Sequence, residues 1–179
     1  GDRRLRGAER VKREEAKMKK RLVIVGLGLI GGSLARAYAI AGHTVLAAEK
    51  ARTIFAFAQL AGAVHGALDE TTIGTCDLIL LAIYPEGSAA WLEANGQYVA
   101  KTALVMDCCG VKTAVCARCF PVAEKYGFTF VGGHPMAGTQ YSGFKYSRAT
   151  MFRGAPMVLV PPRYDDMQLL DRVKTALEP

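Results

Sequence analysis

The sequence has no apolar run near the roughly 20 residues that a membrane-spanning helix needs, and no stretch typical of a secretory signal peptide. It also lacks internal repeats, and low-complexity segments are absent beyond its N-terminal tail. We therefore expect a soluble, cytoplasmic protein with no membrane partner. The 179 residues leave room for one compact domain, since domains usually run about 100–200 residues.

Positive charge is in excess only at one end of the chain. The formal net charge is +7, but residues 1–21 hold ten Lys/Arg against four Asp/Glu, and the rest of the chain holds thirteen against twelve. No basic stripe with interleaved aromatics follows, so we do not expect nucleic acid as a partner. We interpret Met18 as a natural start and residues 1–17 as an added extension, with a functional basic arm as the alternative. The whole basic segment, residues 1–20, is expected to be disordered or helical.

Metal-binding cysteine patterns are also scarce. The five cysteines include a single CxxC, Cys116–Cys119, and no second CxxC follows it. The pair Cys108–Cys109 falls at the end of an apolar strand, and the CxxC lies inside a helical pattern. We therefore predict reduced, buried cysteines that act as small hydrophobes, with no metal site; zinc or redox chemistry is the alternative.

What the chain does contain is a regular alternation of apolar strand-length runs and helical patterns. Such runs are typical of a parallel sheet covered on both faces by crossover helices. We predict an α/β fold over residues 21–179, a three-layer, doubly wound parallel sheet of the Rossmann type. The predicted strands are Arg21–Val25, Thr44–Ala48, Asp77–Ile83, Thr102–Met106, Thr129–Val131 and Met157–Val160. The predicted helices are Ile30–Ala41, Arg52–Ala61, Ser88–Tyr98 and Thr113–Tyr126, followed by a final amphipathic helix capped by Asp165 or Asp166.

A glycine-rich turn, GLGLIG at residues 26–31, follows the first predicted strand and opens the first predicted helix. In this pattern the first glycine permits a tight turn, the second lets the backbone approach a pyrophosphate, and the third lets helix and strand pack closely. The free amides at the helix start face the phosphates. We predict a dinucleotide site that includes Gly26, Gly28, Leu29, Ile30 and Gly31.

Glu49 ends the second predicted strand about 20 residues later, where a carboxylate typically hydrogen-bonds the adenosine ribose. Its charge would repel the 2′-phosphate of NADP, so we predict NAD as the cofactor. Lys50 and Arg52 keep NADP open as the alternative, because either could neutralise that phosphate. Tyr84 and Pro85 are predicted to form a wall for the adenine or the nicotinamide, with a simple strand-end turn as the alternative.

A second glycine-rich segment, GGHPMAGT at residues 132–139, follows a later predicted strand. His134 should therefore lie on the same carboxyl edge of the sheet as the phosphate turn, where ligands bind in such folds. A neutral imidazole can accept the proton of a carbinol whose hydride is leaving. The neighbouring glycines favour this catalytic interpretation over a histidine that only satisfies buried backbone groups.

These motifs make the sequence resemble the prephenate dehydrogenase family, which includes the arogenate dehydrogenases. The matching segments are GLGLIGGSLARA at residues 26–37, DCCGVK at 107–112, GGHPMAGT at 132–139, Ser142-Gly143 and Met151-Phe152. The resemblance implies an oxidoreductase of tyrosine biosynthesis that converts prephenate to 4-hydroxyphenylpyruvate by NAD-dependent oxidative decarboxylation. It also implies that His134 is the catalytic histidine, which binds the ring hydroxyl and takes its proton.

The sequence departs from the family pattern at Gly110, where the family often has a serine that contacts the histidine and the substrate. Lys112 matches the lysine of the same segment and is predicted to contact substrate or cofactor, with a surface lysine at a helix start as the alternative. Thr139 is a predicted substrate contact. Ser33 falls beside the phosphates by position, and helix packing is the alternative explanation for it.

The resemblance further implies an all-helical domain that follows the nucleotide-binding domain, dimerises, and supplies an arginine for the substrate carboxylate. That domain is absent from this sequence. We therefore expect the chain to bind NAD but to turn over little substrate alone, and the full-length form to be a homodimer. The alternatives are an arogenate dehydrogenase, a 3-hydroxyacid dehydrogenase, and a module that senses NAD(H) without chemistry.

Overall fold

The computed structural model of the chain describes residues 5–7, 10, 20–136, 142–163 and 166–178. Most of the N-terminal extension, including Met18, and the predicted substrate contact Thr139 lie outside the described residues. Over the part of the chain that is described, no helix combines the length and the apolar character needed to cross a membrane.

A seven-stranded sheet forms the centre of the fold, in the order β3-β2-β1-β4-β5-β6-β7. Strands β1 to β6 run parallel to their neighbours. The strand order reverses between β1 and β4, which is the point where doubly wound folds bind their ligands. The strands are β1 Arg21–Val25, β2 Thr44–Ala48, β3 Gly66–Ala67, β4 Leu78–Leu81, β5 Leu104–Asp107, β6 Thr129–Pro135 and β7 Met157–Val160.

Helices cover both faces of this sheet, as predicted for a three-layer fold. They are α1 Leu29–Ile40, α2 Arg52–Leu60, α3 Glu70–Ile73, α4 Pro85–Asn95, α5 Thr113–Tyr126 and α6 Met167–Ala176, with 3-10 turns at Gly96–Tyr98 and Phe144–Tyr146. Side chains of α1, α2 and α6 contribute to one hydrophobic cluster, and those of α4 and α5 to the other. Strands β4 and β5 are buried along their whole length, which explains their uninterrupted apolar sequence.

Strand β7 departs from the predicted parallel direction, because it runs antiparallel to β6. A parallel strand needs a crossover connection, usually a helix. The described part of the connection from β6 to β7 contains only the 3-10 turn Phe144–Tyr146, so the chain returns alongside β6 instead of crossing the sheet. Residues of this connection pack on α1, where Arg36 Nε donates to Ser147 Oγ at 2.8 Å.

Strand β3 and helix α3 are missing from the sequence-based prediction. Strand β3 has only two residues, too few for a periodic pattern to show. Helix α3 has four residues and is held by its N-cap, because the Asp69 carboxylate accepts hydrogen bonds from the amides of Thr71 and Thr72. The predicted final helix is confirmed as α6, and the Asp166 carboxylate caps it by accepting from the Leu169 amide at 3.0 Å.

All five cysteines are buried and unpaired, which confirms the prediction of small buried hydrophobes. Burial raises the pKa of each thiol, and it raises the pKa of Cys119 to about 12. The thiols are therefore protonated at neutral pH and poor nucleophiles. Among the described residues no group of three or more His, Cys, Asp or Glu could hold a metal ion.

Candidate functional site

The carboxyl edge of the sheet brings the predicted site residues together. The parallel register of β1, β4, β5 and β6 makes these strands end on the same side. The phosphate turn follows β1, Glu49 follows β2, Tyr84 follows β4, Lys112 follows β5, and His134 lies near the end of β6. One edge of one sheet thus holds every predicted site residue that the structure describes.

Two of the three glycines of the turn are required by the fold itself. Gly26 has a φ of +91°, and a Cβ there would lie 2.8 Å from the carbonyl oxygen of Ala82. A Cβ at Gly31 would lie 1.8 Å from the carbonyl oxygen of Gly26. Both positions are therefore closed to any side chain, because β1, α1 and the end of β4 meet there without a gap.

Gly28 is different, because no protein atom would lie within 4 Å of a Cβ at this position. The residue is exposed and its φ of −77° suits any amino acid, so the fold does not demand a glycine there. It stands directly before α1, whose first amides have no partner within the helix. An open, side-chain-free surface beside free amides fits the pyrophosphate of a dinucleotide.

Glu49 is held by the turn rather than projecting freely into solvent. Its Oε2 accepts a hydrogen bond from the Leu27 amide at 2.8 Å, and its Oε1 accepts one from the Ala51 amide at 3.2 Å. Each carboxylate oxygen keeps a further acceptor site. The carboxylate is therefore fixed beside the phosphate turn with acceptors left for ribose hydroxyls, while Lys50 and Arg52 are exposed next to it.

Tyr84 and Pro85 form the start of α4, with Tyr84 as the N-cap and Pro85 at the first helical position. Tyr84 is 88 % exposed, although tyrosine is on average a partly buried residue. This exposure agrees with a wall that a planar ring can stack against. The position also agrees with the simpler strand-end turn, since proline is well suited to the first turn of a helix.

His134 is half-buried in β6 and is paired with Val158 of β7. A Cβ added at Gly110 would lie 3.7 Å from both Cε1 and Nε2 of its imidazole. The position at which the family often has serine therefore does face the histidine ring. In this chain that position carries no hydroxyl, so Gly110 itself cannot supply a side-chain hydrogen bond to His134.

Lys112 lies at a helix start, as the N-cap of α5, but only 16 % of its side chain is exposed. Its ammonium group donates to the Asp107 carboxylate and to the Gly133 carbonyl. Asp107 was not among the predicted site residues, although its side chain is fully buried. The sequence does contain a signal for Asp107, because it is a charged residue at the end of the apolar strand LVMD. Burying an unpaired charge there would cost a large free energy, so a partner is expected.

Ser33 packs against the connection between β6 and β7 rather than facing the phosphate turn. Its hydroxyl accepts from the Arg148 amide at 3.1 Å and donates to Met151 Sδ at 3.4 Å. The residue is 1 % exposed. The structure therefore favours the packing interpretation of Ser33.

The strand order, the glycine turn with its open Gly28, and the fixed acid after β2 define a dinucleotide-binding domain of the Rossmann class. Residues 34–179 match the family model described as "Prephenate dehydrogenase, nucleotide-binding domain". The chain belongs to that family, as the sequence motifs predict.

Individual relatives agree with the family assignment. The prephenate dehydrogenase of Bacillus subtilis is 27 % identical over 166 residues, a match that covers 90 % of this chain and 44 % of that protein. Among solved structures, the Synechocystis arogenate dehydrogenase is 32 % identical, with a TM-score of 0.78 over 89 % of this chain and 56 % of that one. The prephenate dehydrogenase of A. aeolicus, solved with hydroxyphenyl propionate and NAD+, is 26 % identical, with a TM-score of 0.69 over 88 % of this chain and 56 % of that one. The chain thus spans about half the length of these relatives.

Proposed function

We propose that the chain is the cofactor domain of an NAD-dependent oxidoreductase that converts prephenate to 4-hydroxyphenylpyruvate, a reaction of tyrosine biosynthesis. The observation that carries the proposal is the placement of His134 on the same sheet edge as a phosphate turn with an open Gly28. A histidine at this edge can meet a substrate that lies against the nicotinamide. Family membership supports the same reaction.

The residues of the turn are suited to hold NAD. Gly28 leaves the backbone open to the pyrophosphate, and the amides of Leu29 and Ile30 face it at the helix start. Glu49 accepts hydrogen bonds from the ribose and repels a 2′-phosphate, and Tyr84 with Pro85 borders the ring systems. NAD, when bound, supplies the acceptor for the hydride that leaves the substrate ring.

His134 accepts the proton of the ring hydroxyl as the carbinol is oxidised. Carboxylate loss from prephenate makes the ring aromatic, which drives the reaction forward. The protein therefore has mainly to align the substrate and exclude water. Thr139 and Lys112 are proposed to contact the substrate; two hydrogens of the Lys112 ammonium already serve Asp107 and Gly133, so one remains for a ligand.

The substrate side of the site is incomplete in this chain. The carboxylates of prephenate need cationic partners in a partly desolvated site. We propose that these partners, and the surface that forms a homodimer, belong to the part of the relatives that this chain does not span. Arogenate in place of prephenate is the alternative substrate, and the similarity to an arogenate dehydrogenase supports it equally.

Calorimetric titration of the chain with NAD and NADP, followed by prephenate, tests the cofactor proposal. We expect NAD to bind, NADP to bind more weakly, and prephenate to bind weakly or not at all to the NAD-saturated chain. Glu49→Gln should narrow the difference between NAD and NADP by about tenfold, since it removes one charge beside the 2′-phosphate. No binding of either nucleotide would refute the proposal.

A non-catalytic NAD(H)-binding module is the second candidate function. It is favoured by Gly110, which leaves His134 without the hydroxyl partner that the family often has. Substitution of His134 by Asn separates the two functions in a full-length protein. Loss of NADH formation from prephenate with NAD affinity retained supports the enzyme, whereas unchanged turnover excludes His134 as the proton acceptor.

A further inference from the structure

The Asp107 carboxylate is fully buried, and within the described part of the chain its partners come from the end of β6 and from the loop between β5 and α5. Oδ1 accepts from the Gly133 amide at 3.1 Å, and Oδ2 accepts from the Cys109 amide at 3.1 Å and from the Lys112 ammonium group. A buried charge is tolerated only while its partners stay in place. The carboxylate therefore holds these groups in a fixed arrangement.

Lys112 completes a bridge across the two strands. Besides pairing with Asp107, its ammonium group donates to the Gly133 carbonyl. Both backbone groups of Gly133 are therefore bound by the side chains of one ion pair. The backbone pairing between β5 and β6 ends at Met106 and Val131. Beyond that point the Asp107–Lys112 ion pair links the two strands.

The backbone at Gly133 lies directly against β5. A Cβ at this position would be 2.7 Å from the carbonyl oxygen of Asp107 and 2.8 Å from Met106 Cγ. The next residue is His134, which pairs with Val158 on its other side. Its ring faces Gly110, where an added Cβ would lie 3.7 Å from the imidazole, and Gly110 lies in the loop between the two partners of the ion pair.

We infer that the Asp107–Lys112 pair positions His134, by holding the Gly133 backbone against β5 and the Gly110 loop against the imidazole. The inference rests on the proposed function, since it concerns the placement of the proposed proton acceptor. In this inference Asp107 and Lys112 are positioning residues that act through His134, separately from the substrate contact proposed for Lys112. Because their charges cancel, they fix the backbone without adding net charge beside the imidazole.

The test is NMR on the 179-residue chain, with Lys112→Met as the main variant. This substitution keeps an unbranched side chain but removes the donor to Asp107 and Gly133. We expect hydrogen exchange of the Gly133 amide to accelerate at least about tenfold relative to the amides of β1. We also expect the imidazole resonances of His134 to shift or broaden, since the ring is no longer held in one place.

Lys125→Met is the matched control, because Lys125 is an exposed lysine on α5, the helix whose N-cap is Lys112. It should leave both signals unchanged. If Lys112→Met does not fold, the double variant Asp107→Asn/Lys112→Met removes both charges and leaves no unpaired buried ion. It still lacks a donor for the Gly133 carbonyl, so the His134 resonances should still differ from those of the wild type.

A uniform rise in exchange across β1 and β6, with the His134 resonances unchanged, would show that the pair only stabilises the fold and would overturn the inference. Unchanged exchange at Gly133 in a folded variant would overturn it as well. Because these measurements need no substrate or cofactor, they remain distinct from a failure of the proposed function. That failure would be seen in nucleotide titration and in the turnover of His134→Asn.

Discussion

At the scale of single residues, the three glycines of the phosphate turn have different reasons to be glycine. At Gly26 and Gly31 neighbouring backbone oxygens leave no room for a Cβ, whereas Gly28 borders open space. A sequence motif treats all three alike. The structure separates Gly26 and Gly31, which the fold requires, from Gly28, which the fold leaves open to any side chain.

Gly28→Ala and Gly31→Ala should therefore fail in different ways. We expect Gly28→Ala to keep the wild-type thermal stability but to lose most NAD affinity, because its methyl group would occupy the space proposed for the pyrophosphate. Gly31→Ala should lose about 1–3 kcal/mol of unfolding free energy or more, because its Cβ overlaps the Gly26 carbonyl. Thermal unfolding and NAD titration of both variants provide the test. Full NAD affinity in Gly28→Ala would argue against a pyrophosphate at this turn.

Gly110 offers a gain-of-function test at the histidine. A side chain at this position points at the imidazole edge, with its Cβ 3.7 Å from Nε2. In Gly110→Ser we expect the hydroxyl to hydrogen-bond His134 and to raise turnover about fivefold, the equivalent of about 1 kcal/mol for one hydrogen bond. The rate of NADH formation in a full-length protein measures this effect.

Gly110→Ala is the control for Gly110→Ser, because it adds the Cβ without the hydroxyl. Equal turnover in the serine and alanine variants would show that a hydroxyl at this position does not assist His134. Retained folding is expected for both, since the position is exposed and has no positive φ.

At the scale of secondary-structure elements, a histidine joins the starts of β1 and β2. The Lys20 amide, directly before β1, donates to Nδ1 of His43, directly before β2, at 2.9 Å. Burial, with a smaller contribution from the Lys20 charge, lowers the pKa of His43 below its ordinary value. The folded state therefore favours the neutral ring, whose Nδ1 can accept the hydrogen bond.

This lowered pKa predicts a loss of stability in mild acid. The unfolded chain binds the His43 proton more tightly, so the free energy of unfolding falls as the pH drops below about 6.5, the ordinary histidine pKa. The decline from this group ends once the pH is below its pKa in the folded state. Thermal unfolding between pH 7.5 and 5.5 should show a steeper decline for the wild type than for His43→Asn. Identical pH dependence in the two proteins would contradict the prediction.

At the scale of the whole molecule, the layers depend on contacts between distant parts of the chain. The Tyr38 hydroxyl on α1 donates to the Ala176 carbonyl on α6 at 2.5 Å, and Leu169 and Val173 join the cluster beneath α1. Burial raises the pKa of Tyr38, so the hydroxyl remains a donor at any moderate pH. Helix α6 is thus an integral part of the domain.

Binding of NAD at the carboxyl edge should stabilise the whole domain. A ligand at 100 times its Kd adds about 2.7 kcal/mol to the free energy of unfolding. For a domain of this size, that corresponds to a rise in Tm of about 5–10 °C. Differential scanning fluorimetry with and without NAD measures this rise in Tm. In Gly28→Ala we expect NAD to raise the Tm only slightly. An equal shift in Gly28→Ala would place the nucleotide elsewhere.

Six of the seven strands, every helix except α3 and the family can be predicted from the sequence. These features arise from local patterns: continuous apolar runs for buried strands, helical periodicity between them, and short motifs such as GLGLIG and GGHPMAGT. The two-residue β3 and the four-residue α3 escaped prediction because elements so short carry no period.

The partners of the residues at the carboxyl edge are visible only in the folded chain. By sequence Lys112 is compatible with a surface lysine or with a ligand contact, whereas its contacts with Asp107 and Gly133 arise only in the fold. The same holds for the antiparallel β7 and for the open space at Gly28. Each depends on groups from separate strands that meet only after the sheet forms, so no local pattern records them.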